Sequence, residues 1–290
     1  MNRFILPHEH MSIDLSKEKN NDDCRLNVLS DGYNELVTLK KQGIKAIFDC
    51  SNRGMGRDFE TYKKIQEEFD IPIFCGTGYY KDPFMPEEVE KLDVLSMANL
   101  MIKELTSEVE CGFKASYIGE IGTSHNKITL NERKLFEAAV IAHHQTQAPI
   151  LTHTTLGSLG IEQVRFFKEK QVDPKKIIIS HVDLKDDFDS IVELLNEGVY
   201  VGFDTIGKLN YLSDEKRVQW IVKLVELGYE KQLILSLDIT RKSHLKENGG
   251  IGYGYFMENF IEKLKSSGMS EKTLDNLCYQ NPLDWLGVAI

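Results

Sequence analysis

Eight short apolar runs, separated by stretches of helical periodicity, constrain the fold of this 290-residue chain more than any other feature. Several runs are continuously apolar, as at residues 177–179 and 233–235, which is typical of parallel strands buried on both faces. The predicted strands span residues 4–10, 44–51, 71–79, 115–122, 150–154, 176–181, 199–203 and 232–238. The predicted helices span residues 31–42, 86–105, 131–147, 161–170, 188–196 and 214–227, with a helical tail over 253–290.

This alternation predicts an α/β protein of the (β/α)₈ TIM-barrel type, with residues 1–290 forming one domain. A doubly wound open sheet is the main alternative. No G-x-G-x-x-G motif follows the first predicted strand, which weakens the dinucleotide-binding version of that alternative.

Composition restricts the class of partner. A net charge of -10 argues against nucleic acid, because phosphate backbones attract basic surfaces. No apolar stretch reaches the length of a membrane span, so no membrane partner is expected. The five scattered cysteines are interpreted as free thiols in a reducing compartment, which predicts a cytoplasmic protein. The sequence leaves open whether the protein forms a homodimer.

Polar residues with metal-binding chemistry stand at the ends of most predicted strands. His8 and His10 end the first strand; because side chains alternate between faces, both imidazoles project to one side, about 6–7 Å apart. In a (β/α)₈ barrel the C-terminal strand ends meet at one face and carry the chemistry. The candidate metal ligands at these ends are His8, His10, Glu120, His153, His181 and Asp238.

Taken singly, each of these residues has an ordinary structural interpretation. A lone histidine at a strand end is more often a hydrogen-bonded core residue, and a lone aspartate after a strand is more often a helix N-cap. Six such groups converging on one face instead predict a metal centre, and nitrogen and oxygen donors suit Zn²⁺. Six ligands exceed one tetrahedral site. We therefore expect two divalent cations bridged by Glu120, with a water or hydroxide as the second bridge.

The chain resembles the phosphotriesterase family of the amidohydrolase superfamily, and within it the bacterial phosphotriesterase homology protein subgroup. The resemblance lies in residues 7–10 (PHEH), 56–58 (GRD), 119–124 (GEIGTS), 152–154 (THT) and 238–246 (DITRKSHLK), and it extends over nearly the whole chain. It implies a barrel with a binuclear, usually zinc, centre. By the same resemblance, His8, His10 and Asp238 hold the more buried metal, and His153 and His181 the more exposed one.

One position departs from the pattern of that family. Most members bridge their metals with a carboxylated lysine on the fourth strand, where this chain has none. Lys114 has the matching strand parity but lies roughly 20 Å back along the strand. Glu120 therefore takes the bridging place, and the resemblance does not by itself imply phosphotriesterase activity.

The expected reaction is metal-assisted hydrolysis of a lactone, ester or phosphoester. The cations generate a hydroxide at neutral pH, the more exposed one polarises the oxygen under attack, and Asp238 accepts or shuttles the proton. Two alternatives remain open: a mononuclear amidohydrolase of the deaminase type, and a non-catalytic zinc-binding protein.

The loop after the eighth strand points to a small anionic substrate. It groups Arg241, Lys242 and His244 within an acidic chain, and Lys208, with Tyr211, follows the seventh strand. A cationic rim beside a metal pair suits a carboxylated or phosphorylated substrate. A solvated basic loop is the alternative interpretation.

Overall fold

The computed structural model describes residues 3–290. Its strands are Phe4–Glu9 (β1), Ser12–Asp14 (β2), Arg25–Asn27 (β3), Ile44–Asp49 (β4), Ile73–Thr77 (β5), Tyr117–Thr123 (β6), Ile150–Thr154 (β7), Ile177–Ile179 (β8), Tyr200–Phe203 (β9) and Leu233–Leu235 (β10). The α-helices are Ser16–Lys19 (α1), Val28–Asp31 (α2), Tyr33–Gln42 (α3), Phe59–Phe69 (α4), Glu88–Lys91 (α5), Val94–Thr106 (α6), Leu130–Thr146 (α7), Gly160–Glu169 (α8), Phe188–Asn196 (α9), Asp214–Glu226 (α10), Ile261–Ser266 (α11), Glu271–Asp275 (α12) and Asn281–Leu286 (α13).

Within residues 3–290, eight of the strands form one parallel sheet in the order β1-β4-β5-β6-β7-β8-β9-β10. Each strand joins its sequential neighbour, for example Leu6 beside Ile47 and Leu151 beside Ile178. Nearly every residue of these strands is buried, as expected when helices cover a parallel sheet. The predicted (β/α)₈ barrel is confirmed.

The first and eighth strands of the barrel are joined through side chains. The Glu9 carboxylate accepts hydrogen bonds from the Ser236 hydroxyl (2.7 Å) and from the amides of Leu237 (2.9 Å) and Ile239 (3.0 Å). The amide of His8 also donates to Ser236 Oγ at 3.2 Å. Glu9, which points away from the face of the two histidines, thus draws the loop after β10 against β1.

The structure differs from the sequence prediction in two elements. A small antiparallel hairpin, β2 with β3, follows β1 and was not predicted. The predicted helix over 86–105 is divided into α5 and α6, because the Asp93 side chain accepts a hydrogen bond from Ser96 N and begins a new helix there.

The helical tail packs against the barrel. A π-helical turn at Phe256–Phe260 leads into α11, and a second one at Asn276–Gln280 joins α12 to α13. The ring of Trp285 in α13 lies 5.5 Å from that of Tyr117 and 6.3 Å from that of Phe48, measured between centroids. All five cysteines are unpaired. Within the described part of the chain, no helix combines the length and apolar character needed to cross a membrane.

Candidate metal centre

Glu120 occupies the middle of a buried cluster at the C-terminal ends of the barrel strands. Its Oε1 lies 2.7 Å from His153 Nδ1 and 3.0 Å from His181 Nε2. Its Oε2 lies 3.7 Å from His8 Nε2. One carboxylate on β6 therefore contacts or approaches imidazoles from the first, fifth and sixth strands of the barrel.

Asp238 completes the other side of this cluster. Its Oδ1 lies 3.2 Å from His10 Nε2 and 3.9 Å from His8 Nε2. The imidazole rings of His8, in β1, and His10, directly after it, are 5.9 Å apart between centroids. The structure thus brings together all six residues predicted as ligands from the sequence, and each is at most 8% exposed.

The described chain contains three close groups of donor atoms; one is His8 with His181 and Asp204, and the other two share one residue. Nitrogen and oxygen atoms of His8, His10 and Glu120 all lie within 4.8 Å of one another, and so do those of Glu120, His153 and His181. Glu120 is the member common to both sets. A carboxylate offers two oxygens, so this arrangement fits a residue that joins two cation sites.

The donor chemistry fits a divalent metal. His8 Nε2 is buried and has no hydrogen-bond partner, which is costly for a polar atom unless a ligand satisfies it. Imidazole nitrogens together with carboxylate oxygens suit Zn²⁺ and similar borderline ions. The residues at this site therefore fit a divalent metal ion.

The chain reaches this geometry through unusual backbone at three ligands. Gly119 precedes Glu120 with φ of +145°, and a Cβ there would lie 2.4 Å from the Leu151 carbonyl oxygen, so only glycine fits. Glu120 itself follows a cis peptide bond. His181 and Asp238 both have left-handed backbone, with φ of 61° and 53°.

Asp204, which the sequence analysis did not single out, orients two of the candidate ligands. It directly follows β9, and its carboxylate lies 3.1 Å from His8 Nδ1 and 2.7 Å from His181 Nδ1. The same carboxylate accepts a hydrogen bond from the His181 amide at 2.8 Å, which holds the left-handed turn. By fixing both Nδ1 atoms, Asp204 leaves both Nε2 atoms facing the cluster.

Burial and charge act in opposite directions on the two histidines that contact Glu120. Burial lowers the pKa of His153 to about 4, despite the nearby Glu120 charge. Burial alone would also lower the pKa of His181, but the Asp204 and Glu120 carboxylates raise it to about 10. A cation that binds His181 must therefore displace a proton.

A cavity of about 530 Å³ opens above the cluster. Lys208, Tyr211, Arg241 and His244 line it, as the sequence analysis expected for residues near the substrate. Lys242 is outside this wall, and its Nζ lies 3.5 Å from Asp31 Oδ1. Its role in substrate binding stays a prediction.

Tyr80 and Lys81 line the same cavity and were not predicted. The Tyr80 hydroxyl lies 3.1 Å from His153 Nδ1. Both residues follow β5, the third strand of the barrel, and no metal-ligand residue type marks that strand end. Their position in the loop after a barrel strand is the only signal that the sequence offered.

Comparison with known proteins places these features in a family. The family model described as "Phosphotriesterase family" matches residues 3–286. The phosphotriesterase homology protein of Escherichia coli (strain K12) is 41% identical over 280 residues, which cover 96% of each chain. A crystal structure of that protein, complexed with phosphate in the active site, superposes with a TM-score of 0.94 and 40% identity, covering 98% of this chain and 99% of that one.

Two more distant relatives have named activities. A lactonase from Listeria monocytogenes superposes with a TM-score of 0.91 at 25% identity, covering 98% of this chain and 94% of that one. The N-acetyltaurine hydrolase of Tetraodon nigroviridis is 30% identical over 270 residues, which cover 87% of this chain and 76% of that protein.

Proposed function

The chain belongs to the phosphotriesterase family of the amidohydrolase superfamily, and from that premise we propose that it is a zinc-dependent hydrolase of a small anionic substrate. The bond that we propose it cleaves is that of a lactone, ester or phosphoester. The observation that carries the proposal is the sharing of Glu120 between two buried ligand sets.

In this proposal, His8, His10 and Asp238 hold one cation, His153 and His181 hold the other, and Glu120 belongs to both sites. When bound, such a pair lowers the pKa of a shared water towards neutrality and polarises the oxygen under attack. The protein holds the six candidate ligands in fixed positions at the bottom of the cavity, since all six side chains are buried and their partners are set by the fold.

We assign proton transfer to Asp238. It is 8% exposed whereas Glu120 is 2% exposed, so Asp238 is the carboxylate better placed to pass a proton towards solvent. Burial alone would raise the pKa of Asp238, but the Lys208 ammonium that contacts its Oδ2, together with nearby histidines, holds the pKa well below its ordinary value. Asp238 is therefore charged at neutral pH and can accept a proton.

We assign anion recognition to Lys208, Arg241 and His244. The first two contribute positive charge to the cavity wall. Burial lowers the pKa of His244 to about 4, so this side chain is neutral at pH 7. Its Nδ1 accepts a hydrogen bond from Thr240 N at 3.3 Å, which leaves Nε2 as a donor for an oxygen of the substrate.

The named relatives support this class of substrate. The phosphate in the active site of the Escherichia coli relative is an anion, and the Listeria relative is a lactonase. The relatives named N-acetyltaurine hydrolase favour a second candidate, cleavage of an amide that also carries an anionic group. We propose a cytoplasmic location, because all five cysteines are unpaired.

A substrate panel with a metal count tests the proposal. The panel contains phosphorylated lactones, carboxylate esters, phosphoesters and N-acetyltaurine, assayed with the zinc-loaded protein, Asp238→Asn and the exposed control Asp189→Asn. We expect about two metals per chain, turnover of at least one member, and a loss of kcat of roughly 100-fold or more in Asp238→Asn alone.

Other outcomes separate the alternatives. One metal per chain with turnover would favour a mononuclear enzyme. Two metals with no turnover on any member would favour a non-catalytic metal-binding protein and overturn the proposed activity.

A further inference from the structure

Lys81 carries a buried positive charge in the wall of the cavity. The residue is only 8% exposed, and its Nζ donates one hydrogen bond, to the Asp82 carbonyl oxygen at 3.1 Å. The ammonium lies 5.0 Å from the centroid of the Phe84 ring and 5.5 Å from that of Tyr80. Among residues 3–290 no carboxylate forms an ion pair with it.

Other deeply buried cations in this chain are paired. Arg217 is fully buried between Asp183 (2.6 Å) and Asp214 (2.9 Å). Arg57 contacts Glu104 at 2.9 Å. An ammonium without such a partner is costly to bury, and the two aromatic rings offset only part of that cost. Lys81 is therefore a buried cation with no carboxylate in ion-pair contact, and the charges of Glu132 and Glu120 act on it only from a greater distance.

Lys19 adds a second ammonium to the same place. Its Nζ lies 5.6 Å from the Phe84 centroid, so one aromatic ring lies close to two cations. Lys19 and Lys81 both line the cavity, and Lys19 is exposed to solvent. Like charges gathered around a cavity repel one another unless an anion enters it.

Lys81 lies on the opposite side of the barrel mouth from Lys208, and Lys19 lies between them, near enough to Arg241 and Lys208 for their charges to act on it. Lys81 follows β5, the third strand of the eight, and Lys208 follows β9, the seventh, which is the opposite position in the order of strands. Unlike Lys81, Lys208 is already matched by Asp238, and Arg241 lies 4.0 Å from Asp23. The only carboxylates in the described cavity wall are Glu120 and Asp238, on its floor.

We propose that the substrate carries two anionic groups, one on each side of the bond that is cleaved, and that Lys81 with Lys19 binds the second of them. This inference rests on the proposed function and narrows its substrate class to dianions such as a phosphorylated or carboxylated lactone, ester or amide with a further carboxylate. Lys208, Arg241 and His244 bind one end, and the scissile bond lies over the floor between the two groups.

Binding of matched linear acids tests this directly. Isothermal titration calorimetry with the metal-loaded full chain compares each dicarboxylate from glutarate to suberate with the monocarboxylate of the same carbon number. Both members of a pair offer one carboxylate to the metals, so the ratio of their two affinities reports the contribution of the second carboxylate. We expect at least one dicarboxylate to bind about tenfold or more tightly than its partner, as a charge-assisted contact allows.

Lys81→Met keeps the length and apolar stem of the side chain and removes the charge. It should bring the ratio of the two affinities to within about threefold while leaving the monocarboxylate affinity unchanged. Lys64→Met, at an exposed position of α4, removes the same charge far from the cavity and should leave the ratio intact. Lys81→Met should not lower Tm, because no ion pair is broken.

The outcomes distinguish this inference from the proposed function. Equal binding of mono- and dicarboxylates, or a ratio that survives Lys81→Met, overturns the second anion site even if the protein hydrolyses monoanionic esters. A ratio that depends on Lys81 supports the second anion site even if no panel substrate is turned over. A fall of Tm in Lys81→Met comparable to that of a core substitution would assign Lys81 a structural role instead.

Discussion

The two ends of the barrel are buried to a similar degree but filled in opposite ways. Near the starts of the strands, the interior is apolar, and Trp285 from the C-terminal helix packs on Tyr117 and Phe48. Near the ends of the strands, the interior holds four imidazoles and three carboxylates, counting Asp204, within the described chain. One end contributes stability through burial, and the other holds groups that burial alone would disfavour.

The contrast shows that the polar end is stabilised by specific hydrogen bonds and ion pairs, whereas the apolar end is stabilised by close packing. Each polar group is held by specific contacts, such as those of Glu120 with His153 and His181. The apolar end tolerates little change of volume, because close-packed interiors lose contacts when atoms are removed. Substitutions at the two ends should therefore change different measurements.

The largest effect is expected for Glu120→Gln at the polar end. It removes the one carboxylate shared by both ligand sets, so metal content should fall below one ion per chain. The rate of any hydrolysis should fall by more than the roughly 10–100-fold loss that is typical when a residue that only orients a metal ligand is replaced. Elemental analysis and circular dichroism measure metal and fold. Two tightly bound metals in this variant would contradict the bridging role.

Trp285→Ala at the apolar end should lower the free energy of unfolding by about 3–5 kcal/mol, because it leaves a cavity where a fully buried ring was. Urea unfolding measures the loss. The metal content of the folded variant should be unchanged. If metal is lost at temperatures where the variant is folded, the two ends are coupled and the contrast is wrong.

Asp204→Asn probes how strongly the polar end depends on partners that do not face the cavity. The amide removes the negative charge that lies 2.7 Å from His181 Nδ1 and 3.1 Å from His8 Nδ1, so metal affinity should fall roughly 10–100-fold. A competition titration with a chelator measures this. Asp189→Asn on α9 is the matched exposed control, and equal affinities in both variants would remove Asp204 from the centre.

Glu104→Gln tests a buried charge on α6, which belongs to neither end of the barrel interior. Burial alone would raise the pKa of Glu104, but Arg57, Thr77 and Arg53 hold it below its ordinary value of 4.5. The ionised form therefore contributes stability above pH 4.5, and this is lost as the pH falls through the lower pKa of the folded state. The variant should be less stable by about 1–3 kcal/mol at pH 7, and the difference should shrink at pH 3. A difference independent of pH would contradict this electrostatic origin.

The barrel and the floor of the site could be predicted because both follow from local patterns. Continuously apolar runs such as residues 177–179 identify buried parallel strands, and the ends of those strands share one face. The same rule applies to Asp204, the residue directly after β9.

The rim of the cavity was less predictable because loops set it. Lys81 and Tyr80 follow a strand without a ligand-type residue, and Lys19 depends on the unpredicted hairpin of β2 and β3. Lys242 lies beside Arg241 in sequence, yet it pairs with Asp31 outside the cavity wall. Which of several adjacent loop cations faces a cavity depends on tertiary contacts that a single sequence does not reveal.

The link from Glu9 to the loop after β10 makes the formation of this site depend on the meeting of the first and eighth strands. In the sequence, His8 and His10 come before the other candidate ligands, and Asp238 comes after them. Glu9 holds the amides on either side of Asp238, so that ligand is in place only once the first and eighth strands have met. The ability to hold a cation between them therefore requires a closed barrel, and a chain truncated before residue 238 would lack it.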